Sequence, residues 1–379
     1  MRVLVDYRPA LRIRSGVGEY THELIKALLN MSRLGIAGLS LELTVFSSSW
    51  SDRLDGGDPD LAGAVTIDRR VPVRALNLAW HRLGWPPAEV LTGRAFDVTH
   101  SLHPLRLPAR KAAHVVTIHD LTFLAHPEWT RGEIRRDYPV LARAHAHRAD
   151  HIIVPSRFTA AEVVRCLEVP PARISVCSPG APDWRPREGP PSGRGYVLFL
   201  GTLEPRKNVG ALLDAYERLL ARRATPPMLV LAGHAPDAAR GWLERIGRPP
   251  LAGVVRHIGY VHPDERRSVY EGASVLVQPS FEEGFGMPVL EAMTLGVPVV
   301  AADRGSLPEV LGGAGVLVDP EQPEQLAAAI ERMTEDEAHA GACAAEGVRR
   351  AAHFRWDATA RHVYEAYLQA IEHRRCESA

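Results

Sequence analysis

The residues best suited to chemistry lie in the string EEGFGMPVLE, at residues 282–291. An apolar, strand-like run ends at Pro279, a glycine-punctuated loop follows it, and Pro288 is typical of the first position of a helix. Backbone N–H groups at the start of a helix bind phosphate or hydroxyl oxygens well. The groups expected to do so belong to Gly284, Phe285, Gly286 and Met287.

Two glutamates flank this loop. Glu283 lies on the loop and Glu291 is expected in the first helical turn, so they are not a pair on one helix face. We expect each carboxylate to accept hydrogen bonds from hydroxyls of a different part of one ligand. The alternative is a solvated loop residue and an ordinary negative charge near a helix N-terminus.

Arg206 and Lys207 are adjacent in TLEPRKN, directly after the strand-like run YVLFLG. A planar guanidinium beside a compact ammonium can neutralise a diphosphate leaving group. Lys207 is one of only three lysines in the chain. The alternative is a solvated basic turn.

The N-terminal half offers weaker candidates. Gly16 and Gly18, in RIRSGVGEY, lie between a strand and a helix, where the backbone could approach a phosphate or an acceptor closely. His119 and Asp120 end the buried strand of VVTIHDLTF and bring titratable groups to its carboxyl end. Turn-forming glycines and a structural histidine are the alternatives.

The elements that position these residues alternate between short apolar runs and helical stretches. Continuous apolar strands, each followed by a helix, indicate parallel sheets buried on both faces. The pattern restarts after a Pro/Gly/Arg-rich linker at 179–195. We therefore predict an α/β protein with two Rossmann-like domains facing a cleft, at 1–180 and 195–355. Helical stretches follow from Pro323 to Ala351 and from about Trp356 to Arg374.

Composition excludes several classes of protein. Hydrophobic residues at 46% and charged residues at 24% argue against a long disordered region, and a net charge of zero argues against a bulk nucleic-acid binder. Residues 1–180 nevertheless carry five more basic than acidic residues, so this half is the better candidate for meeting an anionic acceptor or a membrane. Four cysteines without CxxC spacing, and no secretory or membrane-spanning segment, predict a cytoplasmic protein.

One segment of the N-terminal half mixes arginines with leucines and tryptophans. In RRVPVRALNLAWHRLGW, residues 69–85, the spacing is close to helical. It is interpreted as a packed helix with a basic outer face, in preference to a helix at a membrane surface or against an acceptor.

Three patterns resemble metal or nucleotide motifs and are set aside. Asp58 and Asp60 form a D-x-D pair in a turn-rich surface loop. His145, His147 and His151 in HAHRADH are interpreted as a solvated helix face instead of a metal site. The glycines of LGGAGVLVDP precede a strand, whereas those of a dinucleotide-binding motif follow one.

Taken in order, SGVGEY, TIHDLTF, VPSRFT, LGTLEPRKN and EEGFGMPVLEAM resemble the motifs of family 4 retaining glycosyltransferases, which have the GT-B fold. The resemblance covers nearly the whole chain. It is most specific at two glutamates separated by seven residues, which Glu283 and Glu291 match.

The resemblance implies a nucleotide-sugar donor held mainly by the C-terminal domain, with no cofactor and no metal. Glu283 would contact the donor sugar, Glu291 the ribose, Arg206 and Lys207 the diphosphate, and His119 the reacting sugar. Gly259 and Tyr260 would border the base. The final helix, 356–379, would pack back on the N-terminal domain. The HD and GTLEPRKN strings look closest to bacterial mannosyltransferases that use GDP-mannose.

These inferences predict a retaining hexosyltransferase that moves mannosyl from GDP-mannose to a glycan, lipid-linked or small-molecule acceptor, with no nucleic acid as partner. A peripheral contact of the N-terminal domain with the inner membrane face is a further expectation. Alternatives are a transferase using a UDP-sugar, a nucleotide-sugar epimerase, and a non-catalytic sugar-nucleotide sensor. No residue stands out as a covalent nucleophile.

Overall fold

A computed structural model describes residues 1–11, 14, 16–35, 40–130, 132–191, 193–222 and 226–378, with side chains except those of 132–137 and 378. The chain forms two compact units. The first contains Met1–Gly180 and Arg355–Ala379, and the second contains Ala181–Phe354.

The N-terminal unit is built on a seven-stranded parallel sheet of order β3-β2-β1-β4-β5-β6-β7. Its strands are β1 Arg2–Asp6, β2 Glu42–Ser48, β3 Val65–Arg69, β4 Val98–Ser101, β5 Ala113–Thr117, β6 His151–Val154 and β7 Ile174–Val176. Its helices are α1 Val17–Arg33, α2 Val73–Leu78, α3 Ala88–Thr92, α4 Thr122–Ala125, α5 Gly132–Arg148, α6 Arg157–Leu167 and α14 Trp356–Ser378. A π-helical turn, Ala79–Leu83, continues α2.

Both faces of this sheet are buried, as the apolar strands predict. In β1, Val3 and Val5 belong to one hydrophobic cluster and Leu4 to another, because successive side chains point to opposite faces. The first cluster includes residues of α1 and of the C-terminal helix, α14. Tyr367 of α14 also hydrogen-bonds to the buried His100 Nδ1 at 2.8 Å. The C-terminal helix is therefore part of the core of the N-terminal unit.

The C-terminal unit is built on a six-stranded parallel sheet of order β10-β9-β8-β11-β12-β13. Its strands are β8 Tyr196–Leu200, β9 Met228–Ala232, β10 Val255–Gly259, β11 Ala273–Gln278, β12 Val299–Ala302 and β13 Val316–Val318. Its helices are α7 Val209–Arg222, α8 Arg240–Ile246, α9 Pro263–Glu271, α10 Met287–Leu295, α11 Leu307–Leu311, α12 Pro323–Glu335 and α13 Glu337–Ala351.

The strands of this sheet also alternate between two cores. Val275 and Val277 of β11 face one cluster, and Leu276 faces the other. Since β8 and β11 are neighbours, the loops that follow them leave the sheet side by side at its carboxyl edge. These loops carry Arg206 and Lys207 after β8 and the predicted residues from Glu283 to Gly286 after β11.

Two segments differ in detail from their prediction. The helical stretch from Pro323 to Ala351 is two helices, because Asp336 breaks it and caps α13 by accepting a hydrogen bond from the His339 amide. The predicted linker is irregular but held by the C-terminal unit, where the Arg187 guanidinium donates to the carbonyl of Ala273 at 2.7 Å.

Among the described residues, no helix is long and apolar enough to cross a membrane.

Candidate functional site

The Glu283 backbone is fixed by the loop that follows β12. Both the amide and the hydroxyl of Ser306 donate to the Glu283 carbonyl, at 3.1 and 2.9 Å. Gly305 precedes Ser306 with φ +61°, and a Cβ there would lie 2.9 Å from the Glu283 backbone. This close approach requires glycine, since both the positive φ and the missing Cβ are needed.

The Glu283 carboxylate is 5% exposed and surrounded by hydrogen-bond donors. Its Oε1 accepts from Lys207 Nζ, from Gln278 Nε2 at 2.8 Å and from Ser280 Oγ at 2.8 Å, and its Oε2 accepts from Arg206 at 3.2 Å. Burial raises the pKa of this carboxyl, but the charges of Lys207 and Arg206 outweigh burial and lower the pKa to about 2. Glu283 is therefore ionised at neutral pH and is a poor proton acceptor.

The two predicted cations come from the short turn after β8. Burial lowers the pKa of Lys207, and the neighbouring Arg206 charge lowers it further. Arg206 is more open, with a side chain that is 22% exposed, and it also pairs with Glu204 at 3.0 Å. An ammonium carries three N–H donors and a guanidinium five, so both groups are suited to bind an anionic ligand.

Glu291 has different hydrogen-bond partners from Glu283. Helix α10 begins at Met287, so Glu291 is its fifth residue. It therefore lies beyond the first turn, and the prediction that it belongs to the first turn is wrong. Its Oε1 accepts from Arg266 at 2.7 Å and its Oε2 from the Tyr270 hydroxyl at 2.7 Å. Both partners belong to α9 and are buried. These two donors therefore hold the Glu291 carboxylate in place, and neither of them was identified from the sequence.

The remaining predicted residues of the C-terminal unit lie at the carboxyl end of β10 and between β11 and the start of α10. Gly286 precedes α10 with φ +99°, and Phe285 is buried against Phe354. Gly259 ends β10 with φ +77°, and its carbonyl accepts from the Gly233 amide at 2.7 Å. The Tyr260 side chain is 39% exposed. Gly284 and Met287 complete the loop and the first helical residue.

Three further polar residues of this region were missed. Gln278 and Ser280 supply two of the Glu283 contacts described above. Asn208 adopts a left-handed conformation with φ 55°. Its side-chain Nδ2 donates to the carbonyls of Pro279 and Pro320 at 3.2 and 2.8 Å. Asn208 thereby ties the turn after β8 to the loops after β11 and β13. The sequence signal was its place directly after Arg206 and Lys207.

In the N-terminal unit, His119 follows β5 and is partly buried. Its Nε2 donates to the carbonyl of Leu102 at 3.2 Å, which leaves Nδ1 as the unprotonated nitrogen. Burial lowers the pKa of His119 to about 4, so the ring is neutral at pH 7. Tyr20 packs against it edge to face at 4.9 Å.

The two glycines predicted near a ligand lie at the start of α1. Gly16 precedes the helix with φ +53°, and its carbonyl accepts from the Tyr20 amide at 3.0 Å. Gly18 is buried in the first turn. The Asp120 carboxylate accepts a hydrogen bond from the amide of Thr122, the first residue of α4, at 3.1 Å. The Tyr20 contact brings the first turn of α1 and His119 together.

The structure corrects the interpretation of HAHRADH as a solvated helix face. His145 is buried and accepts a hydrogen bond from the Arg106 amide at 2.8 Å. His151 is buried in β6 and contacts Ser175 at 2.8 Å. Helix α5 ends at Arg148, so the three histidines do not share a helix.

The carboxylates with the spacing or geometry of metal ligands lie outside the region around Glu283. Asp58 pairs with Arg14 at 3.1 Å. The Asp60 carboxylate lies 3.1 Å from Nε2 of the buried His22 and 3.7 Å from Lys26 Nζ. Among the described residues, the group of three with suitable metal-binding atoms is Asp150, His373 and Glu377. It contains none of the predicted site residues.

The arrangement around Glu283 has a clear chemical capability. The four charged side chains of this cluster balance, because Glu283 and Glu204 offset the two cations. The N–H donors of the cations lie in a largely desolvated position, where they interact strongly with an anion. Such preorganised donors stabilise negative charge that develops on a leaving group. The geometry suits a ligand that carries both a diphosphate and hydroxyl groups.

Comparison with known proteins identifies the family. Residues 181–350 match the family model "Glycosyl transferases group 1", and residues 14–185 match "Glycosyltransferase Family 4". O-antigen chain mannosyltransferase B of Escherichia coli is 30% identical over 392 residues, covering 97% of this chain and 99% of that protein. The chain is a family 4 glycosyltransferase. The enzyme's two parallel-sheet units also match the GT-B fold of solved glycosyltransferases.

Two solved structures illustrate the fold of this glycosyltransferase. Sucrose-phosphate synthase from Thermosynechococcus elongatus has a TM-score of 0.74 at 22% identity, covering 97% of this chain and 98% of that one. HepE from Anabaena, determined in complex with UDP and glucose, has a TM-score of 0.69 at 17% identity, covering 96% and 98%. The predicted fold class and enzyme class are thus confirmed.

Proposed function

We propose that this glycosyltransferase moves a mannosyl group from GDP-mannose to a hydroxyl of a glycan, glycolipid or small-molecule acceptor, with retention of anomeric configuration. The observation that carries the proposal is the buried cluster of Lys207, Arg206 and Glu283. The likeness to the E. coli mannosyltransferase over almost its full length supports mannose as the transferred sugar.

In this proposal the two cations bind the donor diphosphate. An ammonium and a guanidinium each offer several N–H donors to phosphate oxygens. The backbone N–H groups at the start of α10 add donors of the kind that suit phosphate. Removing one such contact is expected to cost on the order of 10²-fold in rate, because it acts on charge that develops in the transition state.

The two glutamates address the hydroxyl groups of the donor. We assign Glu283 to the mannosyl hydroxyls and Glu291 to the ribose, with Gly259 and Tyr260 beside the base. Ionised carboxylates accept hydrogen bonds from hydroxyls, and the low pKa of Glu283 keeps it in this form. His119 of the N-terminal unit, with a neutral ring, is assigned to the transferred sugar.

The low pKa of Glu283 supports a front-face reaction. A carboxylate with a pKa of about 2 is a weak base and is already occupied by four donors, which disfavours Glu283 as a covalent nucleophile or general base. In our mechanism the bond between sugar C1 and the β-phosphate oxygen breaks as the acceptor oxygen bonds to C1 on the same face. The acceptor proton passes to the departing phosphate. We propose that no metal ion or cofactor takes part.

The membrane forms a second part of the proposal. We propose that the N-terminal unit makes a peripheral contact with the inner membrane face, where a lipid-linked acceptor would be presented. The excess of basic residues over residues 1–180 supports this placement.

The test is an incubation with GDP-mannose labelled in the sugar and mannose-terminated acceptors, including p-nitrophenyl α-mannoside. We expect a mannosylated product and released GDP, and nuclear magnetic resonance of the new linkage should show an α-anomer. Lys207→Met should lower the rate of product formation by about 10²-fold, whereas Lys111→Met, at an exposed lysine, should not. Conversion of the sugar in donor alone would identify an epimerase instead.

A UDP-sugar is the second candidate donor. The HepE structures that share this fold were determined with UDP and with UDP-glucose, which favours testing it. Transfer from UDP-glucose at a higher rate than from GDP-mannose would replace our assignment of the donor.

A further inference from the structure

A histidine and two carboxylates lie together at the amino ends of the strands in the N-terminal unit. Asp150 directly precedes β6, and His373 and Glu377 lie near the end of α14. One ring nitrogen of the histidine and one oxygen of each carboxylate lie within 4.8 Å of one another. His119 and Asp120 follow β5 at its carboxyl end, so this cluster lies at the opposite edge of the sheet from them.

The Asp150 carboxylate is held by the neighbouring strand. Its side chain is 1% exposed, its Oδ2 accepts from the His114 amide at 2.6 Å, and the Asp150 amide donates to the His114 carbonyl at 2.8 Å. On the side of α14, His373 Nδ1 lies 3.6 Å from Asp150 Oδ1, and Arg374 lies 4.0 Å from it. Both distances exceed those of a hydrogen bond. Oδ1 is therefore a buried anionic oxygen that neither of these side chains reaches with a hydrogen bond.

His373 presents a nitrogen in need of a partner. Among the described residues, its Nδ1 is a buried atom that makes no hydrogen bond, which is uncommon and requires an explanation. The 3.6 Å between this nitrogen and Asp150 Oδ1 is too long for a hydrogen bond. It is close to the ~3.4 Å between two ligands of a tetrahedral Zn²⁺ ion, each about 2.1 Å from the metal. The separation therefore suits a shared metal ion.

Glu377 supplies a third ligand from the same face of α14, since it lies four residues after His373. Its carboxylate is 4.0 Å from His373 Nε2, and its side chain is 57% exposed. An exposed side chain can turn toward an ion without disturbing the core. The cluster thus offers two ligand atoms at a suitable separation and a third that can adjust.

We propose that Asp150, His373 and Glu377 bind a Zn²⁺ ion that fastens the end of α14 to the sheet. One imidazole and two carboxylates are ligands that Zn²⁺ accepts, whereas Ca²⁺ and Mg²⁺ prefer oxygen ligands alone. A water molecule fills the fourth tetrahedral position. The two carboxylates neutralise the charge of the ion, and the imidazole binds it in the neutral form.

Arg374 competes with the ion for Asp150. Its guanidinium lies 4.0 Å from Asp150 Oδ1, and its side chain is 32% exposed. A Zn²⁺ ion about 2 Å from the oxygen carries twice the charge at half that distance, so its attraction to the carboxylate is stronger. Arg374 can turn toward water as the ion binds.

The role of such an ion is structural. Because α14 belongs to the core of the N-terminal unit, an ion held jointly by this helix and the sheet binds the folded unit and stabilises it. It lies at the sheet edge opposite His119 and takes no part in sugar transfer. The metal site is therefore independent of the proposed function.

The test is Zn²⁺ titration of the full-length protein, without a histidine tag, after treatment with EDTA and dialysis. Calorimetry of the wild type should show one Zn²⁺ ion bound per chain at this site. Zn²⁺ at about 100 times its dissociation constant should raise the melting temperature by about 5 °C or more. Mg²⁺ and Ca²⁺ at the same concentration should leave it unchanged.

Two variants remove the ligands that α14 supplies. His373→Ala and Glu377→Gln should each weaken Zn²⁺ binding more than about tenfold and reduce the Zn²⁺-dependent rise in melting temperature. His362→Ala and Glu372→Gln, at exposed positions of the same helix, are the matched controls and should bind Zn²⁺ as the wild type does. Cys376→Ser controls for binding by the exposed thiol nearby and should also bind Zn²⁺ normally.

Three results would overturn the inference. They are a wild type whose melting temperature does not respond to Zn²⁺, His373→Ala and Glu377→Gln variants that bind Zn²⁺ as tightly as the wild type, and loss of binding in Cys376→Ser alone. Circular dichroism of the metal-free variants checks folding. Should His373→Ala unfold, Glu377→Gln supplies the same test, because the Glu377 side chain is exposed.

Discussion

Replacing Lys207 with methionine removes one cation from a carboxylate that stays buried. Breaking a buried ion pair in this way costs about 3–5 kcal/mol. Because Arg206, Gln278 and Ser280 still donate to Glu283, we expect the lower end, about 3 kcal/mol. For a unit of this size that corresponds to a melting temperature lower by about 6–12 °C. Differential scanning calorimetry of the ligand-free protein measures it.

A double-mutant cycle separates the pair from other effects. Glu283→Gln combined with Lys207→Met should destabilise less than the sum of the single variants, with a coupling free energy of about 1–3 kcal/mol. Lys111→Met, at an exposed lysine, should change stability by less than about 0.5 kcal/mol. Additive effects of Lys207→Met and Glu283→Gln would refute the view that the two charges stabilise each other.

The same pair predicts a pH dependence with a defined sign. The folded pKa of Glu283 is about 2 against an ordinary value of 4.5, so its contribution to stability is complete above about pH 4.5 and is lost as pH falls toward 2. In Lys207→Met the folded pKa rises toward the ordinary value, and that contribution shrinks. Stability measured by urea unfolding from pH 5 downward should therefore fall less steeply in the variant. A parallel pH profile would contradict the assigned pKa shift.

Three further predictions concern other contacts. Tyr270→Phe removes a donor to Glu291 and should raise the KM for donor about tenfold with little change in kcat, whereas an unchanged KM would exclude this positioning role. Arg8→Met leaves Asp6 buried without its cation and should cost about 3–5 kcal/mol in urea unfolding; a loss below 1 kcal/mol would contradict it. The N-terminal unit should lose stability to urea unfolding as pH falls from about 6.5 toward 4, because burial lowers the folded pKa of several histidines to about 3 or 4 and the unfolded chain then binds more protons. These are His81, His100, His114, His119, His145 and His151.

Much of the fold was predictable because strands and helices alternate with simple apolar patterns. The loop between β11 and α10 was located from Pro279, two glycines and Pro288. What the pattern could not supply was strand order. Lys207 and Glu283 are 76 residues apart, and they meet only because β8 lies beside β11.

The errors have the same origin in tertiary contacts. Arg266 and Tyr270 lie on α9 and contact Glu291 on α10, and no local pattern in PDERRSVYE predicts this contact. His145 was assigned to a solvated helix face, yet it is buried and accepts a hydrogen bond from the Arg106 amide. A buried polar side chain needs a hydrogen-bond partner. When that partner is distant in the sequence, a local sequence pattern does not contain it.

Isothermal titration of GDP-mannose, GDP and UDP into the wild type and Lys207→Met tests the central claim most directly. We predict that the wild type binds GDP-mannose and GDP more tightly than UDP, and that Lys207→Met weakens both guanosine ligands by about tenfold or more, as expected for loss of a charge-assisted hydrogen bond. Equal binding of GDP by the wild type and Lys207→Met would contradict the claim that the buried cluster around Glu283 holds the donor diphosphate.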